Sequence, residues 1–451
     1  MKKRLLSISL LLAMLISSQL SACTYTETNE NTTAVYYCLG ETDDITDLIE
    51  KYNKSCSLYG DKNDRIEIRH FDSEEEFIST ISTEIMADEG PDFFSLDQTL
   101  PFEKFIENAT LADIDEMIKA YGSSINFDDY NKTVMDSGVF NDHRYIIPFF
   151  YSIDTLYSTK DRTDALNINP KTITYEELAK LKSSGEYDFI YAEDYEKYNS
   201  FIYVINQYVD FTEKETYFDT EEFSLAIDIM TTLFQNNEEP VEDYFFENPK
   251  VLTRSPYALS GGSVESVART YCIEQASGKE LILFPTYNRN GKTSAYIQAA
   301  IAVNENSDKK ELIMNFVEFA LSDQQQAYHC GALRKERMYS GGIVALPVKN
   351  SVLEDALELE ITDILDIEDD GIVTDEEINI NEKKVTFLEN EFIPLLKSFE
   401  DCSIYNYRIL TESYYAKNVI QNILDKYLNG DITKNKFITQ LETATQIYMM
   451  E

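Results

Sequence analysis

Five short segments at the start of the chain constrain its fold most, because their apolar period switches repeatedly between that of a strand and that of a helix. Thr33–Leu39 is a dense run of β-branched and aromatic residues closed by Gly40, which predicts a strand. Ile45, Leu48, Ile49 and Tyr52 follow at helical spacing. Arg65–Phe71 alternates apolar with polar residues and predicts a second strand. Glu74–Met86 puts Phe77, Ile78, Ile81 and Ile85 on one helical face. Gly90, Pro91 and Asp92 then break the chain into Phe93, Phe94, Ser95 and Leu96, a short buried strand. This βαβαβ succession predicts an α/β lobe with a mostly parallel sheet.

That lobe cannot account for the whole chain. At 451 residues the protein is too long for one ordinary core and suits two lobes. Hydrophobic residues make up 43% and aromatic residues 12%, enough for globular cores. There are 81 acidic side chains against 39 basic ones, a formal charge of −42. Such a field repels nucleic acid, so a nucleic-acid partner is not expected. A solvated, soluble surface explains the acidity without an acidic site. The six cysteines are Cys23, Cys38, Cys56, Cys272, Cys330 and Cys402; they are far apart and form no Cys-x-x-Cys. Neither a disulfide framework nor a zinc site is signalled, and buried free thiols are expected.

The N-terminus has the layout of a secretory signal. Lys2, Lys3 and Arg4 are followed by an apolar stretch over 5–16 and a small, polar approach over 17–22. About 12 apolar residues fall short of the roughly 20 that span a bilayer. Leu20-Ser21-Ala22-Cys23 resembles the lipobox of bacterial lipoproteins. The resemblance implies cleavage before Cys23, acylation of its thiol, and tethering of the rest outside the membrane; two acyl chains anchor stably where one does not. An ordinary secretion signal is the alternative. Residues 24–32 read as a polar spacer.

Further along, a series of motifs keeps one order. Helix, Gly90-Pro91-Asp92-Phe93-Phe94, then Phe102, Phe105, Ile106 and Leu111-Ala112-Asp113-Ile114, come first. Tyr145-Ile146-Ile147-Pro148 with Leu156-Tyr157, and the helix start Pro170 to Leu178, come next. Tyr217 to Phe223, Phe284-Pro285, Ala299 to Asn304 and Gly342 to Pro347 lead to a tail from Tyr427 to Glu451. In this order the segments resemble the extracellular solute-binding proteins of ABC importers, most closely the sugar-binding type. The resemblance implies a two-lobed periplasmic-binding-protein-like α/β fold of type II, with a ligand cleft between lobes joined by crossover hinges. The expected division is 1–22 signal, 23–32 lipidated Cys and spacer, 33–152 plus 297–341 first lobe, and 153–296 plus 342–451 second lobe. The implied function is capture of a small polar solute, an oligosaccharide first, for an ABC permease, by a monomer lipid-anchored on the outer face of a Gram-positive membrane. A peptide or polyamine solute, or a surface lipoprotein used for adhesion or sensing, is the alternative.

Ligands of open α/β sheets bind outside the carboxyl ends of strands. The candidate residues at strand ends and crossings are Glu41, Asp97, Gln98, Phe149, Tyr151, Tyr287 and Tyr296; Ser260 and Gly261 join them because Gly permits close backbone approach, and the resemblance implies that Tyr414 and Tyr415, on a late helix, contribute aromatics. A Tyr stacked on a sugar buries about 50 Å² of apolar area, worth roughly 1.2 kcal/mol. The chain has no Trp, so Tyr and Phe would have to stack. Most of the 31 Tyr and 25 Phe are nonetheless expected in cores. Residues 366–377 resemble an EF-hand loop, with Gly371 and Glu377 at the sixth and twelfth positions but Glu368 at the third. A plain acidic turn is preferred there, and no metal or cofactor is assigned. There is no Gly-x-Ser-x-Gly, His-Glu-x-x-His or Gly-x-x-x-x-Gly-Lys, and the acids follow no catalytic spacing, so an enzyme is not expected.

Overall fold

The computed structural model describes residues 33–40, 44–59, 64–87, 89–96, 100–169, 173–185, 190–191, 194–211, 213–234, 258–264, 280–285, 289, 293–329, 345–355, 357, 386, 388–399, 401–403 and 415–450. The strands among them are β1 Thr33–Leu39, β2 Arg65–Phe71, β3 Phe93–Ser95, β4 Val139–Phe140, β5 His143–Arg144, β6 Ile146–Thr159 and β7 Ile190–Tyr191. They continue with β8 Val209–Asp210, β9 Glu215–Thr216, β10 Ala258–Val264, β11 Leu281–Pro285, β12 Ser294–Val303, β13 Leu346–Pro347 and β14 Asp401–Ser403. One sheet runs in the order β2-β1-β3-β12-β6-β10-β7; β11 and β13 also pair with β6, and β14 with β12. β4-β5 and β8-β9 are separate two-stranded sheets.

β6 belongs to both halves of the molecule. Its first part, from Ile146 to Ile153, lies antiparallel to β12. Its second part, from Ile153 to Thr159, lies antiparallel to β10 and β11. The chain thus crosses from one half to the other within a single continuous strand.

The first half is built on the opening segments. β1 pairs in parallel with β2 and with β3. Side chains on β1 alternate as a strand requires: Ala34, Tyr36 and Cys38 enter the core on one face, and Tyr37 enters the cluster on the other. Helix Glu74–Met86 starts where the Ser73 hydroxyl accepts the Glu76 N–H, and Glu74, Glu75 and Glu76 complement the positive end of its dipole. It buries Phe77, Ile81 and Ile85. The turn at Gly90 is fixed by Asp92, whose carboxylate accepts the Val35 N–H at 2.7 Å and the Ser307 hydroxyl at 2.6 Å.

Among the described residues the second core is almost wholly helical. It gathers Phe201, Tyr208, Phe218, Phe223, Leu233, Ile420, Leu424, Phe437 and Leu441 from the helices Asp194–Asn206, Glu221–Phe234, Gln421–Leu428 and Lys434–Met450 and their connections. Helix Tyr175–Ser184 carries a full capping box, Thr174 with Glu177, and ends at Gly185 in the left-handed region.

Two observations depart from the sequence expectation. The sheet is mixed, not mostly parallel, because β12 returns from the second half and slots between β3 and β6 antiparallel to both. The expected second-lobe stretch 342–451 is also divided. Ala345, Leu346, Val348, Val352, Leu357, Leu395, Leu396 and Phe399 join the first core, because β13 pairs with Phe150 and Tyr151 of β6. The second core takes up the chain again at Tyr415.

Candidate functional site

The exit of β3 lies at the carboxyl ends of the first lobe's parallel strands, where open α/β sheets form a crevice. β12 runs beside that exit: Leu96 donates its N–H to the Ala300 carbonyl at 3.0 Å. Immediately past this point β12 breaks register with β6, with shifts between Ile297 and Ala299 and between Ala299 and Ala300. The break is visible in the packing. Ala299, Ile301 and Val303 face the first core and Ala300 and Ala302 the opposite cluster, yet Ile297 joins the opposite cluster and not the first core. Gln298 is the extra residue. It is the one exposed position in the strand, whose pattern is otherwise buried throughout. Bulges of this kind re-aim a side chain and recur next to binding sites.

The aim of Gln298 is set by Ser152, itself fully buried on β6, whose hydroxyl donates to Gln298 Oε1 at 3.1 Å. With the oxygen held, the amide NH₂ is left to donate. A fixed amide beside a strand exit suits a neutral, hydroxyl-rich solute, which offers acceptors without charge. Neither residue stood among the sequence candidates. The signal was present: a lone Gln in the apolar run Ser294–Val303.

The carboxyl ends of β1 and β2 form the neighbouring part of the rim. His70 Nδ1 lies 2.9 Å from the Gly40 carbonyl and 3.3 Å from Cys38 Sγ, a buried thiol outside any disulfide. Among the described residues no group of three or more His, Cys, Asp and Glu could hold a metal ion. The helix Phe102–Glu107 follows the β3 exit. Its Glu103 is half-buried by exposure, but its carboxyl is desolvated, which pushes it up to about 7, with the nearby Glu107 adding to the shift and Lys104 opposing it.

The sequence candidates fall into three groups. Glu41, Asp97, Gln98, Tyr287 and Tyr414 lie outside the described residues, as do Cys23 and the acidic loop 366–377. Ser260 and Gly261 pair with Tyr157 and Leu156 of β6, so they sit on the second-lobe side of the crossing strand. Phe149, Tyr151, Tyr296 and Tyr415 are buried, where the sequence expectation was rings offered to a solute. Phe149 packs edge-on against Phe316 in the first core. Tyr151 lies against Phe399 at 5.5 Å. Tyr415 is enclosed by Phe211 and Tyr448 in the second core, its hydroxyl 2.5 Å from Thr445, and burial pushes its phenol pKa up. The structure therefore places Phe149 and Tyr151 on β6 and Tyr296 on β12, all buried, and Tyr415 in the second core.

Comparison with known proteins agrees with this architecture. Residues 47–334 match the family described as bacterial extracellular solute-binding protein. The fold is similar to the sugar-binding protein MalE from the phytopathogen Xanthomonas citri, with TM-score 0.59, 14% identity, and coverage of 93% of this chain and 98% of that one. It is similar to an ABC substrate-binding protein from Listeria monocytogenes in complex with cycloalternan, with TM-score 0.56, 14% identity, and coverage of 93% and 100%. Maltose-bound MalE3 from T. maritima gives TM-score 0.52 at 15% identity, with coverage of 92% and 99%. No curated protein matches the sequence.

Proposed function

The chain belongs to the bacterial extracellular solute-binding proteins, and from that premise we propose that it captures an oligosaccharide between its two lobes and delivers it to an ABC permease. The family is one of binding proteins, not enzymes. The observation that carries the proposal is the polar bulge at the crossing, Gln298 held by Ser152 beside the exit of β3. A neutral hydroxylated solute matches that amide, and the sugar ligands named for two of the similar folds, cycloalternan and maltose, support the choice. Closure of the lobes traps the solute. Carrying the equilibrium from 1:99 open to 99:1 closed takes about 5.5 kcal/mol of differential affinity. Micromolar binding supplies about −8 kcal/mol in total. Tethering through Cys23 keeps the protein beside its permease.

The test is a thermal-shift screen of the chain from residue 24 against maltose-type, chitin-type and cyclic oligosaccharides, with amino acids, peptides and polyamines as controls. A solute at 100 times its dissociation constant adds about 2.7 kcal/mol of stability, which a melting curve resolves. A shift with one glycan class is expected. A shift with a control solute alone overturns the oligosaccharide, and silence across the panel overturns solute capture.

A further inference from the structure

The two lobes also touch away from the crossing strands, through three polar contacts that no solute mediates. Lys417 Nζ in the second lobe lies 2.6 Å from Glu74 Oε1 in the first. Lys214 Nζ, at the turn between β8 and β9, lies 2.9 Å from Glu107 Oε1. Lys104 Nζ reaches the other way, donating to the Tyr448 carbonyl at 3.1 Å with the Tyr448 ring centroid 5.3 Å away.

The assignment of these residues to lobes follows from packing. Glu74 opens the helix that buries Phe77, Ile81 and Ile85, and Lys104 and Glu107 ride on the helix of Phe102 and Phe105; all five apolar residues belong to one cluster with β1 and β2. On the other side, Phe211 beside Lys214 packs on Tyr415 and Tyr448, and Ala416 and Ile420 flank Lys417 in the helical core. Thr216 ties the β8-β9 turn to Glu442 of the last helix at 2.5 Å.

The position of the contacts decides what they do. Glu74 lies three residues past the end of β2, and Glu107 lies on the helix that follows the exit of β3. Glu74 is therefore on the crevice side of the sheet, whereas the helix carrying Glu107 runs back to Thr110, whose carbonyl accepts the Glu305 N–H near the amino end of β3. β2 is moreover the edge strand, separated from the crossing strand β6 by β1, β3 and β12. A contact there acts on a longer lever arm than one beside the hinge. The charge balance makes the contacts more telling: with 81 acids against 39 bases, facing surfaces repel on average, yet two of the scarce lysines are paired with acids of the opposite lobe.

We propose that Lys417 is a positioning residue that latches the lobes together through Glu74, setting the open-to-closed ratio without touching the solute. The inference rests on the solute-capture reading for its purpose but not for its test. The experiment uses the solute-free chain from residue 24, which contains every described residue. Dyes attached at Ser79 and Thr439, exposed on the first and second lobes, report the lobe separation by single-molecule energy transfer. Half-exposed ion pairs of this kind shift equilibria about two- to five-fold each. Lys417→Glu is expected to raise the open-to-closed ratio by that factor or more. Lys417→Glu combined with Glu74→Lys is expected to restore the wild-type ratio. A Lys417→Glu variant that leaves the ratio unchanged, or a charge swap that fails to restore it, overturns the latch whatever the solute proves to be.

Discussion

The two lobes solve the packing problem differently. The first lays a sheet between two clusters, so neighbouring residues of a strand serve different cores: Phe93 faces one and Phe94 the other. The second core, among the described residues, packs helices on helices, with Phe218 on Phe223 and Tyr427 stacked on Phe437 at 4.6 Å. In the first lobe a residue's face follows from its parity along the strand. In the second, aromatic identity and helical spacing decide only that a residue is buried. The contrast teaches where a binding residue can be recognised: in a strict alternation one misplaced polar residue stands out, and in an aromatic-rich helical core one more Tyr does not.

The largest expected effect separates the lobes as folding units. Phe316 packs against Phe93, Tyr52 and Phe149, and Phe437 against Tyr427. Phe316→Ala and Phe437→Ala should each cost about 3–5 kcal/mol in denaturant unfolding. If the lobes unfold independently, each variant shifts its own transition; a single transition moved by both makes the molecule one cooperative unit.

A smaller effect tests the first lobe alone. The Glu103 carboxyl is pushed up to about 7 in the fold, against about 4.3 in an unfolded chain. A raised pKa means the folded state holds the proton more tightly. Its favourable contribution is full below about pH 4.3 and is lost as pH rises toward 7. Glu103→Gln should therefore stabilise the protein above pH 7, by about 1–2 kcal/mol after allowance for solvent screening, and the gain should vanish by pH 4. Chemical denaturation at pH 5 and pH 8 reads the difference.

The smallest belongs to the second lobe. Thr174→Ala removes the capping box of helix Tyr175–Ser184 and should cost about 1 kcal/mol. Hydrogen exchange should place the loss in that helix, leaving Glu74–Met86 as protected as before.

The opening of the fold was legible because local signals agreed there. β2 and the helix Glu74–Met86 fall on the predicted bounds, and Asp92 explains why Gly-Pro-Asp must break the chain. The antiparallel insertion of β12 was not legible, because the direction of a strand depends on where the chain returns from, which no local period encodes. For the same reason 345–357 and 393–399 were expected in the wrong lobe. The site was read through its aromatics, and Phe149 and Tyr415 proved to be core in a chain that fills its interior with Tyr and Phe in the absence of Trp. Gln298, on which the proposal rests, carried a local signal: an amide where the strand pattern called for an aliphatic side chain.

The account turns on that residue, so the most direct measurement is a calorimetric titration of Gln298→Ala with the oligosaccharide that gives the largest thermal shift. Truncating a side chain that hydrogen-bonds the solute costs about 1–3 kcal/mol, since it strands a buried partner. The account predicts binding at least five-fold weaker than wild type, beyond a modest drop in the melting temperature of the solute-free protein, because the buried Ser152 hydroxyl loses its acceptor. An unchanged dissociation constant would contradict it and move the solute away from the crossing strands.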